Sequence, residues 1–223
     1  MLKFKQYFLE SNSQQIHPQR DDDGNPVVIR NPHTPSSQDA WSKDDIATTT
    51  PGHKDVPSSL NGVDFKSYKA PETWSGASGT GKFEEPEFKK QPGYKQSVGI
   101  AMIEGDKIWI AHPTNAFGGY HATFPKGTVE PDLSHRENAI KETHEETGLR
   151  AELTGHLGDF KKTTSVTRLY TGRRVGGHPS DMGWESQGVS LVPIKDLHKH
   201  VTHPADQEAV RLIQEMHRKS KGE

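Results

Sequence analysis

Phe124-Pro125-Lys126-Gly127-Thr128-Val129-Glu130-Pro131-Asp132-Leu133-Ser134-His135-Arg136-Glu137-Asn138-Ala139-Ile140-Lys141-Glu142-Thr143-His144-Glu145-Glu146-Thr147-Gly148-Leu149 reads as a strand end, a glycine turn and a short acidic helix with a defined stop. Ser134 can cap the helix, and Glu137 three residues later completes a capping box. Gly148 follows the last turn, where a left-handed residue is wanted. At about 100° per residue, Ala139, Ile140 and Thr143 share one arc and can pack on a core. Glu142, Glu145 and Glu146 share the adjacent arc, so three carboxylates crowd together. A solvated helix face is the plain explanation of such a cluster. A divalent cation is the chemical one: Mg²⁺ takes hard oxygen ligands, and the turn can add the Gly127 carbonyl.

The longer pattern resembles the box of the Nudix hydrolase family. That box runs Gly, five residues, Glu, seven residues, Arg-Glu, a hydrophobic residue, any residue, Glu-Glu, any residue, Gly and an aliphatic residue. Gly127 to Leu149 keeps the spacing over 23 positions without a gap. Three positions depart: Leu133 stands for the first Glu, Lys141 for the Arg, and Thr143 for the hydrophobic residue. Lys141 keeps the charge but loses the bidentate fork. The positions that resemble the family's metal-binding carboxylates, Glu142, Glu145 and Glu146, are intact.

The whole chain has 223 residues, a net charge of -2, 30% hydrophobic residues, 15 Pro and 21 Gly. That is too polar for one compact globule over its full length. The near-neutral charge does not point to nucleic acid. Without Cys there is no thiolate metal site or nucleophile. No apolar run approaches the ~20 residues of a membrane span, and a soluble, cytoplasmic protein is the expectation.

Three regions follow from the patterning. Residues 1–60 are expected to be a mostly disordered tail, with a short helix at 2–9; Asp21-Asp22-Asp23 reads as a solvated acidic run. Residues 61–94 spread Val63, Phe65, Tyr68, Trp74, Phe83 and Phe88 through polar chain, as an arm wrapped on a domain would. Gly76-Ala77-Ser78-Gly79-Thr80-Gly81-Lys82-Phe83 mimics a phosphate-binding loop, but Phe83 replaces the hydroxyl residue and no strand precedes it. Residues 95–219 form the domain: a hairpin over 97–112, the acidic helix, strands over 151–160, 163–175 and 184–192, and a last helix carrying Ala209, Val210, Ile213 and Met216. Strands, helix, strands, helix gives an α+β class. The resemblance, which covers 95–219, implies a Nudix-like α/β/α sandwich with a mixed sheet.

That resemblance also implies hydrolysis of a small-molecule phosphoanhydride with Mg²⁺ or Mn²⁺. Its metal ligands are Glu142, Glu145, Glu146 and the Gly127 carbonyl. The catalytic candidates are Glu142, Glu145 and a base from a later loop, Glu185 or Asp181. For substrate, Lys126, Tyr120 and Arg168 are the contacts expected; Arg173 and Arg174 are further phosphate candidates, and Trp184, like Tyr120, either stacks on a base or packs in the core. Alternation places Arg168 and Arg174 on one strand face and Arg173 on the other. Phe124-Pro125-Lys126-Gly127 resembles branches acting on diadenosine polyphosphates, diphosphoinositol polyphosphates and capped RNA, with ADP-ribose also open. The competing expectation is a catalytically weak domain that binds a nucleotide and regulates a partner. His198-Lys199-His200-Val201-Thr202-His203 lies at a helix-to-loop junction and reads as a solvated turn rather than a metal site. The oligomeric state is not legible.

Overall fold

The computed structural model describes residues 14–77 and 81–222. The helix expected at 2–9 lies outside them, as does the middle of the 76–83 glycine stretch. In chain order the strands are β1 (Gln14–Arg20), β2 (Pro26–Arg30), β3 (Ala47–Thr49), β4 (Ser59–Leu60), β5 (Val63–Asp64), β6 (Lys95–Glu104), β7 (Lys107–Pro113), β8 (Lys126–Thr128), β9 (Leu149–Lys161), β10 (Ser165–Gly177) and β11 (Ser186–Pro193). The helices are α1 (Gln38–Ser42), α2 (His135–Thr147), α3 (Leu197–His200) and α4 (Gln207–Lys221).

A seven-stranded mixed sheet runs β3-β11-β7-β6-β10-β9, with β8 paired to β6. β6 and β10 are parallel, while β6–β7, β7–β11 and β9–β10 are antiparallel. Two-residue alternation splits the strands between two cores. Val98, Ile100, Met102 and Trp109 face α2, where Ala139 and Ile140 meet them. Ala101, Ile108 and Ile110 face α4, where Ala209, Val210 and Ile213 meet them. Met216, placed by periodicity on the buried side of that last helix, is instead 46% exposed, one turn beyond the packed stripe. The result is the α+β class, a mixed sheet between helices.

The expectation of coil over residues 11 to 60 is corrected from Gln14 onward. β1 and β2 form a hairpin, and β3 is the edge strand of the main sheet, with Ala47, Thr48 and Thr49 opposite Leu191, Ser190 and Val189. Thr48 Oγ1 and Ser190 Oγ are 2.6 Å apart. Trp41 of α1 is buried, its ring 5.7 Å from that of Trp109. The apolar residues that make this possible are too few and too scattered to show a period; each is buried by partners distant in sequence.

Residues 61–94 hold little regular structure beyond β5. Phe65 and Phe88 are buried on the α2-side core, and Trp74 and Phe83 pack against it. Arg174 of β10 locks the β4–β5 ribbon down. Its guanidinium donates to Glu104 at 2.7 and 3.0 Å, to the Leu60 carbonyl at 2.8 Å and to the Val63 carbonyl at 3.1 Å. Trp109 Nε1 also donates to Glu104, at 3.0 Å, so this buried pair is fully partnered.

Candidate active site

The turn before α2 and the first turns of the helix are built by their own side chains. Ser134 Oγ accepts from the Glu137 N–H at 3.3 Å, and Glu137 accepts from the Ser134 N–H at 2.7 Å, which closes the capping box. Asn138 is fully buried and staples the turn: it accepts from the Glu130 N–H and donates to the carbonyls of Glu130, Leu133 and Ser134. Gly148 ends the helix at φ 67°, a conformation that favours glycine, and a Cβ there would strike the His178 carbonyl.

The three box glutamates each have a distinct setting. Glu142 is buried against Gly127, where any Cβ would overlap its carboxylate. This close approach is why the turn needs glycine. Glu146 accepts from the Lys126 N–H at 2.7 Å. Glu145 accepts from Lys141 Nζ at 2.7 Å. Burial, then the neighbouring Glu145, Glu185 and Glu130, push the Glu142 carboxyl up to about 7 against the pull of Lys141. Burial likewise raises Glu146 and lowers the Lys126 ammonium, and each moderates the other.

Lys141 holds more than Glu145. Its Nζ also reaches Glu130 at 2.8 Å. Glu130 stands three residues before Leu133, the position at which the box resemblance calls for Glu, and it gives the lysine a carboxylate partner from the turn. Burial opposes the Lys141 charge, yet the hydrogen bonds to Glu130 and Glu145 carry its pKa above the ordinary lysine value. This brace was not legible in the sequence, because Glu130 carried no pattern of its own.

Glu185 enters from the loop before β11. Partial desolvation raises its pKa, with Asp22 and Glu145 adding to the shift and Lys141 opposing it. The loop is tied to α2: the Gly183 N–H donates to the Glu145 carbonyl at 2.6 Å. Asp181, the other base considered, is instead paired with Lys54, whose hydrogen bond and charge hold its carboxyl below the ordinary range despite burial.

Lys126 joins two clusters. Its backbone serves Glu146, while its side chain turns to Thr123 and sits 4.5 Å from the Tyr120 ring centroid. Lys162 lies 5.5 Å from the same ring and pairs with Asp206 at 2.7 Å; Asp206 also accepts from Thr123 Oγ1 at 2.6 Å. Tyr120 stacks on His203 at 3.8 Å. Two lysines thus face buried Asp206 beside an aromatic ring, with Glu146 as a second carboxylate near Lys126. Lys162 and Asp206 come from distant segments and bear no motif, so the sequence offered no signal for them, while His203, read as part of a solvated turn, is instead stacked on Tyr120.

Arg168, expected to contact substrate, is elsewhere. It is 1% exposed, grips Asp159 at 2.7 and 2.8 Å, reaches Glu85 at 3.2 Å and lies 4.5 Å from the Phe88 ring. Its face, shared with Arg174, is the α2-side core, and both guanidiniums are consumed by structural partners. A cavity of about 550 Å³ behind α2, lined by Tyr68, Trp74, Ile140, His144 and Arg150 among others, is also separate from the three glutamates.

A mixed sheet between helices, with a glycine turn and a carboxylate-bearing helix at one end, defines the class. The NUDIX domain family matches residues 93–214, and the chain belongs to that family. Among curated proteins, "Putative mutator protein MutT4" of Mycobacterium tuberculosis (strain CDC 1551 / Oshkosh) is 28% identical over 102 residues. That match covers 42% of this chain and 41% of the relative, so the chain spans well under half of the curated protein it matches. Among solved structures, a NUDIX hydrolase from Nitrosomonas europaea aligns with TM-score 0.49 at 20% identity, covering 57% of this chain and 74% of that one. A C. elegans Ap4A hydrolase aligns with TM-score 0.47 at 16% identity, covering 58% and 99%. No described helix is long and apolar enough to cross a membrane.

Proposed function

We propose that this protein hydrolyses a phosphoanhydride bond of a nucleoside diphosphate derivative or dinucleoside polyphosphate, using Mg²⁺ or Mn²⁺. The observation that carries this reading is the placing of Glu142 against Gly127 and of Glu146 on the Lys126 N–H, with Glu145 close enough to raise Glu142. Two desolvated carboxyls, both raised by burial and Glu146 further by Glu142, are a donor set suited to a hard divalent cation. Among the described residues no three such side chains converge on one point as they stand, and Glu145 is held by Lys141. The set of three would need Glu145 to leave that lysine.

A cation held by Glu142, Glu145, Glu146 and the Gly127 carbonyl would screen phosphate oxygens and acidify a bound water. The chain supplies the rest. Glu185, its pKa raised, accepts the water's proton. Lys126 and Lys162 offset the charge of the phosphates, and Tyr120 flanks them.

One observation favours a second reading. The Lys141–Glu145 pair occupies the third carboxylate, as suits a domain that binds a nucleotide without turning it over. Phosphate and nucleotide release decides between them, measured with Mg²⁺ or Mn²⁺ over diadenosine polyphosphates, ADP-ribose, NADH, nucleoside triphosphates, diphosphoinositol polyphosphates and capped RNA. Turnover that vanishes in Glu145→Gln/Glu146→Gln supports the hydrolase. Nucleotide binding without turnover on any compound supports the regulatory domain.

A further inference from the structure

The β1–β2 hairpin lies outside the family match at 93–214, yet its tip reaches the candidate site. The tip is rigid. Asp21 accepts from the Asn25 N–H at 2.7 Å and the Asp23 N–H at 3.1 Å, and Arg20 donates to the Gly24 carbonyl at 2.8 Å. Asp21 is therefore spent inside the turn, whereas Asp22 points outward and accepts from Trp184 Nε1 at 3.2 Å.

The base of the hairpin is anchored on the same loop region. Asn115, at φ 55°, accepts from the Arg30 N–H at 2.7 Å and donates to the Val28 carbonyl at 2.8 Å, while its own N–H donates to Gln187 at 2.8 Å. Buried His17 lies against the backbone of Gly183 and Ser186. A hairpin clamped at both ends fixes the loop that carries Trp184 between the Glu145 backbone and Glu185.

Trp184 is half-buried and belongs to neither core cluster. Among the described residues its ring meets no other aromatic ring or cation in stacking range, and its indole N–H is committed to Asp22. A large flat ring held by its edge, next in the chain to Glu185 and with no protein ring on its face, is suited to stack a planar group of a ligand.

We propose that Trp184 is the stacking surface for the base of a nucleoside substrate, and that Asp22 of the hairpin is the positioning residue that holds it. This rests on the hydrolase reading for its reaction but not for its binding, and it assigns a place to the base of that substrate. Ring-free phosphoanhydrides draw nothing from the hairpin.

The test is equilibrium binding of AMP, ADP and inorganic pyrophosphate to the full chain, with Mg²⁺, for the wild type and Trp184→Leu, Trp184→Phe, Asp22→Leu and Asp22→Asn, each checked for an unchanged thermal midpoint. Stacking on an aromatic side chain is of a size that makes Trp184→Leu weaken AMP and ADP binding by about tenfold. Pyrophosphate binding is unchanged. Asp22→Leu weakens the nucleotides several-fold, as does Trp184→Phe, which keeps a ring but has no N–H to hold. Asp22→Asn, which keeps an acceptor oxygen, restores them, a rescue that loss of packing alone does not give. Nucleotide binding unaffected in both Leu variants, equal losses for pyrophosphate, or a wild type that binds neither nucleotide overturns the proposal. Absent turnover with Trp184-dependent AMP binding refutes the hydrolase alone; normal turnover with both Leu variants silent refutes this inference alone.

Discussion

At the scale of single residues, the site is shaped by what each carboxylate lacks. Glu142 is raised to about 7 by burial and by like charges, so in the metal-free protein its folded-state pKa lies above the ordinary value of 4.5. Between those values the folded state binds a proton that the unfolded state has released, so stability falls as pH rises. Glu142 is expected to contribute a loss on the order of 3 kcal/mol between pH 4.5 and pH 7, read as the difference between wild type and Glu142→Gln in denaturant unfolding with excess chelator. Added Mg²⁺ is expected to return stability at the upper end by binding the ionised form. A second prediction concerns Glu130. Its pair with Lys141 is partly exposed, so Glu130→Gln is expected to cost under about 1 kcal/mol in stability. Lys141 is then left to Glu145 alone, and the Mg²⁺ concentration for half-maximal activity is expected to rise several-fold, read from a metal titration of turnover. The carboxylates, Gly127 and the Ser134 cap were legible because spacing alone puts them together. Glu130, Lys162 and Asp22 were not, because nothing local marks a residue whose partner lies on another segment.

At the scale of elements, legibility tracked how much of the burial each segment shares with its own neighbours in sequence. β6 and β7 alternate Val98, Ile100 and Met102 against Ala101, and Trp109 against Ile108 and Ile110, so period and partner were visible together. β3 is Ala47-Thr48-Thr49, too short for a period, and β1 and β2 bury only His17 and Ile29. Their order comes from β11, from Asn115 and from the loop at Gly183, which a local reading takes as coil. The β4–β5 ribbon is a similar case, held by Arg174 rather than by its own pairing. Removing its partner tests that. Glu104→Ala strips a buried guanidinium of its carboxylate and leaves Trp109 Nε1 without an acceptor. Unfolding by urea is expected to show a loss of about 3–5 kcal/mol. Arg174 and Glu104 both replaced by apolar residues of similar volume is expected to lose much less, and a double variant as unstable as the single one would mean the ribbon depends on the charges themselves.

At the scale of the whole molecule, the family match at 93–214 and the packed unit are not the same object. The sheet's edge beside β11 is covered by β3, and the α2-side core takes Trp41, Ala47, Val56, Phe65 and Phe88 from residues before the match begins. Fully burying side chains of this kind is worth roughly 1.5–3 kcal/mol each for the larger ones, while a domain's net stability is only about 5–15 kcal/mol. Losing three aromatics and their cover therefore removes a share comparable to the whole. It also bares the β11 edge and the Trp109 face, surfaces that invite association with other chains. Residues 93–222 produced alone are expected to bind a hydrophobic dye, unfold without a cooperative transition and sediment as mixed oligomers, whereas the chain from Gln14 onward unfolds in one step. A cooperative, monomeric 93–222 fragment would show instead that the N-terminal segments are an addition to a self-sufficient domain. The same pair of proteins separates stability from recognition: if the shorter one folds, its nucleotide affinity isolates what the hairpin and Asp22 contribute to the site.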